Sequence, residues 1–299
     1  MFTQKLIKTK NTTIVRTEHN FDLTNYNSYR IKAKCRTAYF PENEDDFVEI
    51  FKNGEEDKII IGGGYNIILA SDYYDKDFII VGETYSSVLL EEPGVITCEA
   101  GASTLQLSEF ALEKSLSGAE IFFDIPSSIG GAVVMNAGAS GEEIKDILLK
   151  VRYLDLKDMT VKEILKDDIG YQYRNSIFQK EGGKIVLKAW LGLQPGNAEE
   201  IKNKMETVKE ARWSKQPKEF PNAGSVFKRP PGHYVGPMID ELQLKGYRIG
   251  GAEVSKKHGG FIVNVDNATG QDIIGIIKHV QQKVKERFNV DLEIEQRII

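Results

Sequence analysis

The sequence predicts an α+β protein, with sheet-forming and helix-forming stretches segregated along the chain. Short apolar β-type runs bounded by glycine or acidic turns dominate the first two thirds. Longer helical periodicities take over after Pro195-Gly196. At 299 residues the chain is too long for one small core and suits roughly two or three packed lobes, with boundaries expected near residues 85 and 200.

The elements follow in order. A helix is expected over Asn43–Asn53, stopped by Gly54, and then strands at Lys58–Ile61, Asp77–Val81 and Val95–Cys98. Ser103 with Gln106 three residues later reads as a capping box opening a helix that ends at Gly118. Leu149–Leu156 and Thr160–Ile164 read as a hairpin turning at Lys157-Asp158, and Lys184–Leu193 as a further strand. Asn197 and Glu200 open a long helix with Ile201, Met205 and Val208 on one face. Gln216-Pro217 and Phe220-Pro221 punctuate a connector. A short helix at Pro237–Leu242 and a strand at Phe261–Val265 follow. The last helix starts at Thr269, with Ile273, Ile277, Val280 and Val284 at helical spacing.

Composition excludes several functions. Hydrophobic residues make up 41% and charged residues 28%, the balance of a folded globular protein. The formal net charge is −5 and no basic block exceeds Ser214–Lys218, so a nucleic-acid partner is not expected. The start, Met1–Lys8, lacks the apolar run of a signal peptide, and nothing approaches the roughly 18 uncharged apolar residues of a membrane span. The two cysteines, Cys35 and Cys98, read as buried thiols in a reducing cytoplasm. No metal site is expected, because the four histidines are scattered and no Cys-x-x-Cys spacing occurs.

Two glycine-rich segments stand out. In Gly62-Gly63-Gly64-Tyr65-Asn66-Ile67, successive glycines let backbone N–H groups point at one anion, although a plain strand-to-strand turn would use the same residues. The dinucleotide fingerprint fails because Ile67 stands where the third glycine belongs. The run from Pro126-Ser127-Ser128 through Gly130-Gly131-Ala132 to Asn136 and Gly138-Ala139 is crowded with small residues. It suits backbone packed against a large ligand, or glycines packed inside a sheet crossing.

Together these two segments resemble the UDP-N-acetylenolpyruvoylglucosamine reductase family, and the resemblance runs from Asn25–Arg30 to Leu292–Arg297. It implies a two-lobed FAD-binding domain of the vanillyl-alcohol-oxidase (PCMH) type, over 1–85 and 86–200, plus a C-terminal α+β substrate-binding domain over 201–299. It also implies non-covalent FAD lying along both segments with Gly101 nearby, NADPH as electron donor, a UDP-sugar substrate, and a cytoplasmic monomer or weak oligomer. Few residues separate Phe178 from the strand at Lys184, which leaves no room for the inserted tyrosine-bearing loop of the longer subtype.

Three further positions gain meaning from the resemblance. Arg174, flanked by Tyr173 and Asn175, would ordinarily be a surface arginine paired with some carboxylate. The resemblance makes it catalytic, its fork on a substrate carboxylate, with Tyr173 a substrate contact. Ser225, after Ala223-Gly224, lacks the Gly-x-Ser-x-Gly setting of a nucleophile, and the resemblance implies a proton donor. Glu295 would ordinarily lie on a solvated strand face, and the resemblance implies a catalytic residue, with Glu293 the confounding neighbour. Lys215, Arg229, Lys245 and His258 are implied contacts to diphosphate and uridine. Two rival readings are another FAD-dependent oxidase or dehydrogenase, and a flavin or nucleotide-sugar binder without turnover.

Overall fold

The computed structural model describes residues 15–52 and 57–299. They fall into two compact units, each discontinuous in sequence. Of the described residues, one takes in those up to His19, those of Thr37–Gly63 and Lys76–Glu210; the other comprises Asn20–Arg36, Gly64–Asp75 and Ala211–Ile299.

The first unit is built on a five-stranded antiparallel sheet in the order Thr160–Leu165, Leu148–Asp155, Lys184–Gly192, Val95–Glu99, Val88–Glu92. Alternation decides its faces. Ile96 and Cys98, and Leu187, Ala189 and Leu191, point into one core with Leu107 and Ala111 of the helix Thr104–Glu113. On the other face the Trp190 indole N–H donates to Glu91 at 2.7 Å, and Lys150 Nζ lies 4.2 Å from the ring centroid. The expected hairpin is present, with Asp155 opposite Thr160. Ile59–Ile61 pairs in parallel with Phe78–Ile80.

The helix before them runs over Glu44–Lys52, and its expected stop at Gly54 lies outside the described residues, as does the Met1–Lys8 start. Ser103 caps its helix as the sequence predicts, with both capping-box bonds formed. That helix ends at Glu113, however, and not at Gly118. Ser115 takes a left-handed φ of 54°, and Leu116–Ser117 leaves as a strand pairing with Gln194–Pro195. Burying Leu116 against a neighbouring strand outweighs another helical turn. The small-residue run also contains an element that the sequence pattern does not announce, the helix Ile129–Met135, whose N-terminus is capped by Ser128 Oγ accepting from Gly131 N.

In the second unit, the helix Gly270–Phe288 buries Ile273, Ile277, Val280 and Val284, the stripe expected from spacing. Thr269 and Asp272 complete its capping box. It packs on a small antiparallel sheet of Arg248–Ile249, Ala252–Val254 and Ile262–Asn264. The short helix expected at Pro237–Leu242 runs over Val235–Glu241. Cys35 and Cys98 are buried free thiols, and burial pushes Cys98 up to about 12. No helix among the described residues is long and apolar enough to cross a membrane.

Gln296 ties the end of the second unit together. Its Oε1 accepts from the buried Tyr29 hydroxyl at 2.9 Å, and its Nε2 donates to the carbonyls of Ala223 and Gly224 at 3.0 and 3.2 Å. Gln296→Leu keeps the volume and strands a buried hydroxyl and two carbonyls. It should lower stability by about 3 kcal/mol, at roughly 1–3 kcal/mol per buried polar group left unpaired. Urea unfolding of the variant measures this through the transition midpoint, and a midpoint matching wild type would show that the three bonds contribute no net stability.

Candidate functional site

In the first unit, main-chain segments approach so closely at Gly101 that only glycine fits between them, and small side chains crowd Gly62 and Gly130. A Cβ on Gly101 would lie 2.3 Å from the Gly82 carbonyl oxygen and 2.4 Å from that of Tyr85. One on Gly62 would lie 2.3 Å from Ser128 Oγ, and one on Gly130 would lie 3.0 Å from the Ala100 Cβ. Hydrogen bonds fix these approaches: Ile129 N to Ala102 O and Gly130 N to Ala100 O, both 2.8 Å, and Thr104 N to Ser127 O at 3.0 Å. The result is a cradle walled by backbone and small side chains. Its rim includes the exposed Gly63 and Pro126 and the half-buried Gly82, Ser127 and Gly131, and a Cβ on Gly82 would meet nothing within 4 Å.

This surface fits FAD. It carries no acidic side chain in Gly62–Gly63 or Pro126–Ala132, so it tolerates a diphosphate, and its mostly small side chains admit a broad flat group against the backbone. Neither glycine-rich segment offers a histidine or cysteine for covalent attachment.

Arg174 belongs to the same unit. Gln172 and Asn175 bond each other's backbones at 3.0 and 3.1 Å, making a tight turn with Tyr173 and Arg174 at its centre. Arg174 takes a left-handed φ of 54°, a conformation costly for any residue with a Cβ. The turn aims its guanidinium at the carbonyls of Asn136 and Gly138, 3.2 and 2.7 Å away, with Glu143 Oε1 at 3.7 Å. Its guanidinium carbon lies 5.1 Å from the centroid of the exposed Tyr173 ring. Asn136, expected along the cofactor, is fully buried, with its amide donating to Glu143 and to the Gln172 carbonyl. Sequence reading missed Glu143, since a glutamate after Gly141 carries no distinguishing pattern. Ala132 is also buried, while Ala139 pairs with Glu142 in a short hairpin.

The remaining expected residues lie in the second unit. Glu295 N donates to Val226 O at 2.8 Å, and Phe227 bridges Ile294, so the chain carrying Glu295 runs beside the one carrying Ser225. Asn66 Nδ2 donates to the Glu295 carbonyl at 3.1 Å, and Asn66 O accepts from Arg297 N, which links the Gly64–Ile67 stretch to the same place. Ser225 is exposed and Glu295 half-buried. Glu293 pairs with Lys228 at 2.5 Å with its own side chain 71% exposed, the solvent-facing role. Val226 N bonds the Gly260 carbonyl, which brings the His258–Gly260 turn alongside.

Lys245 pairs with Asp240 at 2.7 Å, and the charges of both are felt at His258. Arg229 stacks on Tyr234, 3.8 Å from the ring centroid, and Lys215 is exposed beyond the helix Ala198–Trp213. Tyr65 is exposed, and Gly64 is buried against the Tyr26 carbonyl.

The class of domain follows from the match of residues 36–164 to the family model described as FAD binding domain, which takes in the cradle at Gly62, Gly101 and Pro126–Ala132. Residues 216–299 match the model of the UDP-N-acetylenolpyruvoylglucosamine reductase C-terminal domain. The reductase of Caldanaerobacter subterraneus is 40% identical over 94% of this chain and 92% of its own length. That of Lactobacillus gasseri is 41% identical over 94% and 93%. The crystal structure of UDP-N-acetylenolpyruvylglucosamine reductase from Thermus caldophilus superposes with a TM-score of 0.81 at 29% identity, covering 95% of this chain and 98% of that one. The chain belongs to the UDP-N-acetylenolpyruvoylglucosamine reductase family, as its motifs imply.

His258 gives the site a pH signature. Burial holds its imidazole below the ordinary value of 6.5; the Lys245 charge acts in the same direction and Asp240 opposes it. Its Nδ1 accepts from Gly260 N at 3.1 Å, which places the proton of the neutral ring on Nε2. Below about pH 6.5 the unfolded chain takes up a proton that the folded ring resists, so stability falls as pH drops through that window. His258→Asn should flatten the dependence of the melting temperature on pH between about 6.5 and 5.5. An unchanged slope in differential scanning calorimetry would place the acid sensitivity elsewhere.

Proposed function

We propose that this protein reduces UDP-N-acetylglucosamine enolpyruvate to UDP-N-acetylmuramate in peptidoglycan precursor synthesis, using non-covalent FAD and NADPH. The observation that carries this is a family match through both the FAD-binding stretch and the C-terminal domain of one chain. The C-terminal match also disfavours a flavin oxidase of other specificity. The protein works in the cytoplasm as a monomer or weak oligomer, without a nucleic-acid or membrane partner. Lobes 1–85 and 86–200 serve the cofactor, and 201–299 the UDP-sugar.

Bound FAD would supply the hydride chemistry between NADPH and the vinyl CH2 carbon of the substrate. Charge then develops on the α-carbon and its carboxylate. Arg174 holds the carboxylate and, with Glu295, stabilises the enolic species. Ser225 protonates the α-carbon, which completes the lactyl ether. A serine hydroxyl is a weak acid, but an enolate carbon is basic enough to take its proton. Tyr173, Lys215, Arg229, Lys245 and His258 bind the UDP-sugar, and Gly62, Gly63, Tyr65–Ile67, Gly101 and Pro126–Gly131 line the cofactor.

The two glutamates give a clean test. Glu295→Ala should cut turnover of the enolpyruvyl sugar by roughly 10²-fold or more, as a lost electrostatic stabiliser does. Glu293→Ala, which removes an exposed ion pair to Lys228, should leave kcat close to wild type. Steady-state kinetics with the effects exchanged would assign the catalytic role to Glu293.

Protonation is tested in a single turnover from reduced enzyme. Ser225→Ala should leave flavin reduction by NADPH intact and slow product formation roughly 10²–10⁴-fold, the range for a lost general acid. Ser225→Cys should recover part of the rate, because a thiol is the stronger acid. Product formed by Ser225→Ala at the wild-type rate would exclude the serine as donor.

A further inference from the structure

We propose that the Asn136 side chain is a positioning residue for Arg174, fixing the plane in which its guanidinium meets the substrate carboxylate. The inference rests on the catalytic reading of Arg174 and deepens it.

Asn136 reaches Arg174 by two routes. Its backbone carbonyl accepts from Arg174 Nη1 at 3.2 Å. Its side-chain Nδ2 donates at 3.2 Å to the carbonyl of Gln172, the residue that opens the turn holding Tyr173 and Arg174. One residue therefore holds the guanidinium through its backbone carbonyl and, through its side-chain amide, the backbone that aims it. The second Nδ2 proton goes to Glu143 Oε2 at 2.9 Å, while Glu143 Oε1 faces Arg174 Nη1 at 3.7 Å and Lys145 Nζ pairs with Oε2 at 2.5 Å. Asn136 Oδ1 accepts from Lys145 N at 3.4 Å. Asn136 thus orients a carboxylate that competes with substrate for Arg174.

Backbone conformation points the same way. Asn136 caps the helix Ile129–Met135 with a left-handed φ of 48°, and Arg174 takes 54° in its own turn. Asparagine tolerates that region better than other residues with side chains, and it alone combines this tolerance with two donors on one short side chain. Aspartate would fit the same backbone but would carry no donor and would set a second negative charge against Glu143. Full burial of Asn136 is consistent with a role exercised through Arg174 rather than through direct substrate contact.

The test uses the FAD-loaded enzyme and two variants, Asn136→Asp and Asn136→Gly. Glycine keeps the left-handed backbone and the carbonyl on Arg174 but loses all three side-chain bonds. It therefore serves where aspartate impairs folding. Binding is measured by calorimetry for UDP-N-acetylmuramate, which bears the carboxylate, and UDP-N-acetylglucosamine, which does not. Both variants should keep FAD and bind UDP-N-acetylglucosamine as wild type does. They should lose roughly tenfold or more in affinity for UDP-N-acetylmuramate, and kcat should fall roughly 10²-fold, as misaligned catalytic groups do. Equal weakening of both ligands, or loss of FAD, would mean a general structural role and overturn the proposal. So would retention of carboxylate-specific affinity in both variants.

Arg174→Lys in parallel separates the two claims. If that variant keeps wild-type turnover and carboxylate preference, the reading of Arg174 itself fails. If it loses them while the Asn136 variants do not, only the positioning role fails. Adding Asn136→Asp to Arg174→Lys should cost nothing further, since the residue it aims is already disabled.

Discussion

The first unit depends on main chain touching main chain. The carbonyls of Gly82 and Tyr85 stand where a side chain on Gly101 would begin, and Ser128 Oγ stands where one on Gly62 would begin. Glycines there are demanded by protein packing before any ligand is considered. Because the segments are locked by bonds such as Gly130 N to Ala100 O, the surface they share is preorganised, and its polar groups are held without side-chain entropy to lose. The sheet beneath supplies the rigidity: Ile96, Cys98, Leu187 and Ala189 anchor its strands in one core, and the loops between them carry the recognition.

The second unit solves a different problem, the placing of two short polar side chains on a chain end. Ser225 sits between Gly224 and the buried Val226, and Glu295 between the half-buried Ile294 and the buried Gln296. Neither has a long element of its own to hold it. Position comes instead from buried polar anchors: Gln296 to the Ala223 and Gly224 carbonyls, Asn66 to the Glu295 carbonyl, and Asn264 to the Tyr29 carbonyl at 2.8 Å. Such anchors cost free energy when unpaired, and that cost makes their geometry specific.

Much of this is legible in the sequence, and what is not has physical reasons. Period-2 alternation marks the hairpin, the capping box marks the helix at Ser103 and period-3.6 spacing marks the helix from Thr269, because local forces decide those elements. The helix end at Glu113 is not legible, since a partner strand remote in sequence captures Leu116. Nor is the helix Ile129–Met135, whose glycines disfavour it intrinsically and whose burial pays for it. The glycine segments are legible as close backbone, but the roles of Glu143 and of the Asn136 amide appear only when Gln172 and Arg174 return to meet them. The discontinuity of both units is equally invisible to a reading that moves along the chain once.

That discontinuity bears on how the protein can be made. Tyr29 waits for a partner 267 residues away, and Ile67–Ile68 pairs with Arg297–Ile298. The early segments of the second unit therefore leave the ribosome long before anything exists to cover them. The five-stranded sheet of the first unit, whose strands all lie between Val88 and Gly192, can assemble while the rest is still being translated. Closure of the second unit is then a late, long-range event of high contact order. During that interval Tyr29, Ile31 and Ile68 are exposed to chaperones and to one another, which makes this unit the aggregation-sensitive part of the newborn chain.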